Sequence, residues 1–83
     1  AREKRLLEQQ IAIDYWNKRV EARRVQWDKN LQQAFDRNVH EINQIVAEYT
    51  LILEENPHDE LSSEMLDSAL NDKVELLREF SDL

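Results

Sequence analysis

Eighty-three residues, 41% hydrophobic and 35% charged, with a net charge of −7, no Gly, no Cys and one Pro, specify one small all-α domain whose core is thin. Without Cys there are no disulfides, thiolate metal ligands or cysteine nucleophiles; the compartment stays open, an intracellular, soluble setting being favoured. The longest apolar run, Tyr49 to Leu53, is far short of the ~18 residues of a membrane span, and the opening AREKRLLEQQ lacks the apolar run of a signal peptide.

At ~100° per residue, Leu6, Ile13, Trp16, Val20 and Trp27 share one helical face. Leu31, Ala34, Phe35, Ile42, Ile45, Val46, Tyr49, Ile52 and Leu53 continue that face without a change of phase if the helix runs through Asp28-Lys29-Asn30. This continuity predicts one helix from about Arg2 to about Glu54. The competing reading is a turn near Asp28–Asn30, supported by the turn residues Asp28 and Asn30 and by a capping-box pair, Asn30 and Gln33. It makes a compact three-helix bundle instead.

The segment EENPHDE is a firm break, because Pro57 cannot continue the preceding helix and disfavours a helical Asn56. Asn56 can then cap a second helix that has Pro57 at its first position and begins between Pro57 and Leu61. That helix ends near Phe80, with Leu61, Met65, Leu66, Ala69, Leu70, Leu76, Leu77 and Phe80 apolar and Lys73 interrupting the stripe. A return helix of ~23 residues covers ~35 Å, reaching back to about Leu31. The predicted architecture is therefore a single domain, 1–83, with a helical arm over 1–30 and an antiparallel hairpin over 31–83 that turns near 55–60.

The first thirty residues are the informative part. Leu7, Ile11, Tyr15 and Val25 lie nearly opposite the main stripe, and a helix apolar on two sides needs neighbours on two sides. Charge is divided too. Residues 1–30 hold eight Lys/Arg against five Asp/Glu, a balance of +3, and residues 31–83 hold three against thirteen, a balance of −10. Such asymmetry biases docking. Ile11, Tyr15, Trp16, Val20, Arg23 and Trp27 are the candidate partner-binding residues, since aromatic and Arg side chains dominate interface energies. Asn38, flanked by Leu31, Phe35, Ile42 and Ile45, is a candidate register-setting polar residue.

No enzymatic, cofactor or metal signature is present. His40 and His58 have no partner histidine at helical spacing and no Glu-x-x-His pattern. The acidic residues around the turn, Glu54, Glu55, Asp59 and Glu60, are expected in solvent, with no cleft to assemble them for acid–base chemistry. Lys18, Arg19, Arg23 and Arg24 are interleaved with Asp14, Glu21 and Asp28, which argues against nucleic acid and against a membrane-surface helix. The absence of Gly and Cys fits a designed helical binder, while twelve Asn/Gln and only four Lys fit a natural chain. The sequence thus points to a non-enzymatic, coiled-coil-like interaction module or adaptor. It would bind a protein partner or a second copy as homodimer through the arm, with no small-molecule substrate. The alternative is a monomeric three-helix-bundle binder that uses one exposed helical face.

Overall fold

The computed structural model describes residues 2–83, the side chain of residue 2 excepted. Three helices account for nearly all of it: α1 over Arg2–Arg24, α2 over Lys29–Glu55 and α3 over Glu60–Ser81. No strand is present among the described residues. The all-α class holds, in its three-helix form. The single helix from 2 to 54 and the protruding arm are not found, because the chain reverses over residues 25–28.

The physical reason lies in how that reversal satisfies the helix ends. An Asp28 carboxylate oxygen accepts the Leu31 N–H at 2.8 Å and caps α2. On the other side, the Arg24 carbonyl accepts the Trp27 N–H at 3.0 Å and the Gln32 Nε2 at 3.1 Å. The orphan groups that every helix terminus leaves are therefore partly covered by the turn's own residues. No described residue has positive φ, so the reversal needs no glycine. The cap is Asp28 and not Asn30. Arg24 and Asp36 then clasp the two helices by a two-pronged pair, Nη1–Oδ1 at 2.9 Å and Nη2–Oδ2 at 2.8 Å, the fork geometry that suits a guanidinium and a carboxylate.

The second turn falls where Pro57 requires it. Asn56 ends α2, with its N–H on the Ile52 carbonyl at 2.8 Å, and Asp59 caps α3 by accepting the Ser62 N–H at 3.0 Å. Pro57 and His58 thus sit inside the turn, and Asp59 takes the capping role that the sequence offered to Asn56.

Helix α3 packs along both α1 and α2, whereas α1 and α2 hardly touch each other. The result is a flattened body, 43 × 22 × 14 Å. Its radius of gyration, 14.0 Å, exceeds the ~12 Å of a compact globule of this length. The core is thickest beside the first turn, where Ile13, Val20, Trp27, Phe35 and Leu77 are buried together and Leu31, Leu70, Val74 and Phe80 pack around them. Toward the second turn it thins to Leu66 and Ala69 with half-buried neighbours. There α1 is held to α3 by a polar layer. Gln9, itself buried, donates from Nε2 to Asp67 Oδ1 at 2.8 Å and Asn71 Oδ1 at 3.0 Å.

Asp28→Ala is expected to lower stability by ~1 kcal/mol, and Asp28→Asn by a few tenths, as for other N-caps. Urea unfolding of the two variants checks this. Equal stability of Asp28→Ala and the parent would mean that the cap does not hold the reversal.

Candidate functional site

Helix α1 is weakly amphipathic for a simple reason: it is apolar on both sides. Leu6, Gln9, Ile13, Trp16 and Val20 recur at three- and four-residue steps and point into the bundle, buried or half-buried. Leu7, Ile11 and Tyr15, four residues apart, form a ridge on the opposite side and are 62%, 60% and 54% exposed. Val25, at the start of the turn, is also exposed. A helix that has one face packed gains nothing from a second apolar ridge in water.

The structure divides the six candidate partner-binding residues. Val20 and Trp27 are buried inside the chain and belong to the aromatic-capped core, so contact with a partner through either would require opening the bundle. Trp16 is half-buried against that core, and the guanidinium carbons of Arg19 and Arg78 both lie 5.6 Å from its ring centroid. Ile11, Tyr15 and Arg23 are exposed. Arg23 lines a shallow hollow with Arg19, Ala22 and Ser81, apart from the ridge. Asn38 is exposed on α2 and does not lie in the packed seam. Leu7, which the sequence placed opposite the main stripe, joins Ile11 and Tyr15 as the third member of the exposed ridge.

Tyr15 is exposed yet held. Its ring meets Trp16 edge-on with centroids 4.9 Å apart, and the Arg19 guanidinium lies 5.9 Å from its centroid. A ring already oriented by its neighbours loses less freedom on binding. The charges beside the ridge are of mixed sign, with Lys4, Lys18 and Arg19 among Glu3, Glu8, Asp14 and Glu21.

Among the described residues, no group of three or more His, Cys, Asp or Glu side chains is placed to hold a metal ion, and His40 and His58 are both exposed. No helix is long and apolar enough to cross a membrane, among the residues described. The surface hollows are open. One lies at the second turn, against Pro57, His58, Asp59, Glu60 and Ser63. Another, about 210 Å³, lies between Leu6, Thr50, Leu53 and Leu66, where α1 and α2 splay over α3.

Among the described residues, two buried polar side-chain atoms have no hydrogen-bond partner, Gln9 Oε1 and Trp27 Nε1. For Trp27 this shows that the residue is present for its ring. Its centroid lies 5.4 Å from Phe35 and 5.6 Å from Phe80, with edge-on geometry to both. No family model matches the chain, and comparison with curated proteins and with solved structures yields no match.

Trp27→Phe keeps most of the ring and removes the unpartnered donor, so its stability should stay within ~1 kcal/mol of the parent. Trp27→Ala should lose ~3–5 kcal/mol, the usual range for an aromatic deleted from a core. Chemical denaturation of both variants, read by circular dichroism, checks the contrast.

Proposed function

We propose that this chain is a non-enzymatic interaction module, a three-helix bundle that presents the outer face of α1 to a helix of a partner protein. The observation that carries the reading is the ridge of Leu7, Ile11 and Tyr15, more than half exposed on a helix whose opposite face is already packed. Apolar side chains at i, i+4 and i+8 are the anchor pattern by which one helix seats against another. Aromatic anchors with restrained rotamers supply much of such binding energy.

A heterologous partner suits this face better than a second copy. In an antiparallel pair centred on Ile11, Lys4 of one copy would face Lys18 of the other. Like charges across an interface oppose association. A partner helix carries its own charge pattern and escapes this constraint. The bundle itself supports the role as a scaffold. The Trp27 end of the core and the Arg24–Asp36 clasp hold α1 in place without using any ridge residue.

The test is selection of helical peptides from a displayed library against the parent protein, followed by affinity measurement on variants. Ile11→Ser combined with Tyr15→Ser is expected to leave the melting temperature within a few degrees, because neither side chain is in the core. It should weaken the selected peptides at least tenfold. Peptides that bind the double variant as tightly as the parent would place the binding face elsewhere.

A further inference from the structure

A second apolar face lies on the far side of the molecule, and its charge is not mixed. Helices α2 and α3 run antiparallel, with their register marked by Phe35 against Phe80, at 5.1 Å between centroids, and by Lys73 Nζ on Asn43 Oδ1 at 2.8 Å. On α2, Asp36 reaches α1 through Arg24, and Asn43 lies on the same side of the helix at ~100° per residue. Asn38, Ile45 and Ile52, spaced by seven, fall roughly opposite that side. On α3, Asp67 and Asn71 meet α1 through Gln9, while Met65 and Leu76 fall on the flank turned away from α1. Ile45 and Met65 are 41% and 40% exposed, and Leu61, at the start of α3, is 68% exposed. By this helical phase these side chains share the back of the α2–α3 pair, the seam along which the two helices meet.

The two rims of this seam are acidic. On α2, Glu41, Glu48 and Glu55 recur at seven-residue steps along its outer edge, and all three are exposed. On α3, Asp72 and Glu79, seven residues apart, are likewise exposed along the opposite edge. None of the five has a partner among the ion pairs of the described residues, which join Arg5 to Asp67, Arg24 to Asp36 and Arg78 to Glu75. Arg37 is the one basic residue near the α2 rim. Lys73 lies on the other side of the seam with Asn43, and Arg78 sits over Trp16.

We propose that this seam docks a basic amphipathic helix of a partner protein, its apolar stripe on Ile45, Ile52 and Met65 and its Lys or Arg flanks on the two acidic rims. Charge complementarity selects the occupant. A second copy offers a poorer one, because the helix with a basic balance, α1, carries Glu8 and Asp14 beside its exposed ridge. Nucleic acid and anionic membranes are repelled by the same rims. The span from Asn38 to Ile52 corresponds to ~21 Å of helix at 1.5 Å per residue, enough to seat about four turns. This surface is separate from the α1 ridge, so either can fail without the other.

The experiment uses a synthetic, end-capped amphipathic peptide of about five turns, with leucines at heptad spacing flanked by lysines. Its affinity for the whole chain is measured by fluorescence anisotropy at low and high salt. Two control peptides are a scrambled one of the same composition and one with Glu in place of Lys. The parent is expected to bind the basic amphipathic peptide at least tenfold tighter than either control, and less tightly as salt rises. Ile45→Ser with Met65→Ser should reduce that affinity at least tenfold with the rims intact. Glu41→Gln, Glu48→Gln and Glu55→Gln together, a set of exposed substitutions that keeps helix propensity, should do the same and decides the matter if the apolar variant does not fold. Leu7→Ser with Ile11→Ser should leave this affinity unchanged. Equal binding of the scrambled peptide, or undiminished binding to the rim variant, would overturn the proposal. So would sedimentation showing a dimer of the parent that the Ile45 and Met65 substitutions dissolve, since the occupant would then be a second copy.

Discussion

Trp27, Phe35 and Phe80, one ring from the first turn and one from each of the two helices that follow, pack together at one end of the bundle, Trp27 edge-on to both phenylalanines and these tilted against each other. The rest of the structure depends on that contact. It holds the chain reversal at residues 25–28 against the end of α3, and so it sets where α2 begins its return along the bundle. Rings arranged this way add ~0.5–1.5 kcal/mol per pair beyond the area they bury. The increment matters in a chain this short, whose buried hydrophobic core is little more than Ile13, Val20, Trp27, Phe35, Leu66, Ala69 and Leu77. From this closed end the helices diverge, and by Leu6 and Leu53 the gap between α1 and α2 is an open hollow floored by Leu66. The polar layer of Gln9, Asp67 and Asn71 stands at that looser end, where directional bonds keep α1 beside α3 although apolar contact is sparse.

How legible this was depends on the chemistry of each turn. The break at Pro57 could be read directly, because proline removes a backbone donor and constrains its predecessor. The break at residues 25–28 could not be read in the same way. Its backbone stays at negative φ, so it needs neither Gly nor Pro, and of the local markers, Asp28, Asn30 and Gln33, it is the carboxylate of Asp28 that caps the helix. The unbroken phase from Trp27 to Leu31 was misleading for a physical reason. A reversing chain also has to turn the stripes of both helices toward one core, and Trp27 enters that core from the turn itself. Phase continuity therefore fits a hairpin as well as a rod. The apolar residues of α1 were legible as two opposed stripes, and the opposed exposure of Leu7, Ile11 and Tyr15 follows from that spacing. Which stripe faced inward was not. That choice rests on the long-range fit of Val20 and Trp27 against Phe35 and Leu77, which no local pattern encodes.

The same geometry explains why apolar side chains remain outside. A three-helix body only 14 Å thick, in which α1 and α2 barely meet, encloses one side of each outer helix. Apolar residues on the other sides of α1 and α2 have no place to go unless another chain supplies it. Soluble domains tolerate single exposed apolar residues, and grouped ones on the flank of a helix mark contact surfaces. Here the exposed groups fall into two sets with different electrical settings. The α1 ridge stands among charges of both signs, and the back of the α2–α3 pair stands between rows of carboxylates.

Charge within the chain is spent unevenly, and this gives the two faces different electrostatic settings. The positive balance of α1 is partly neutralised inside the molecule. Arg24 is taken up by Asp36 at 2.8 Å, and Arg5 reaches Asp67 at the looser distance of 3.7 Å. Both pairs lie between helices and consume carboxylates that face α1. The carboxylates on the other flank, Glu41, Glu48 and Glu55 on α2 with Asp72 and Glu79 on α3, have no such partner among the described residues and stand as rows of like charge. Paired exposed charges contribute little to stability, and unpaired rows of like sign oppose the compact state. A bundle with a small core that nevertheless keeps two such rows beside exposed Ile45 and Met65 carries a cost that folding alone does not require. Association with a positively charged helix, as proposed above, would remove that cost, because it would bury the apolar floor and neutralise both rims in one step.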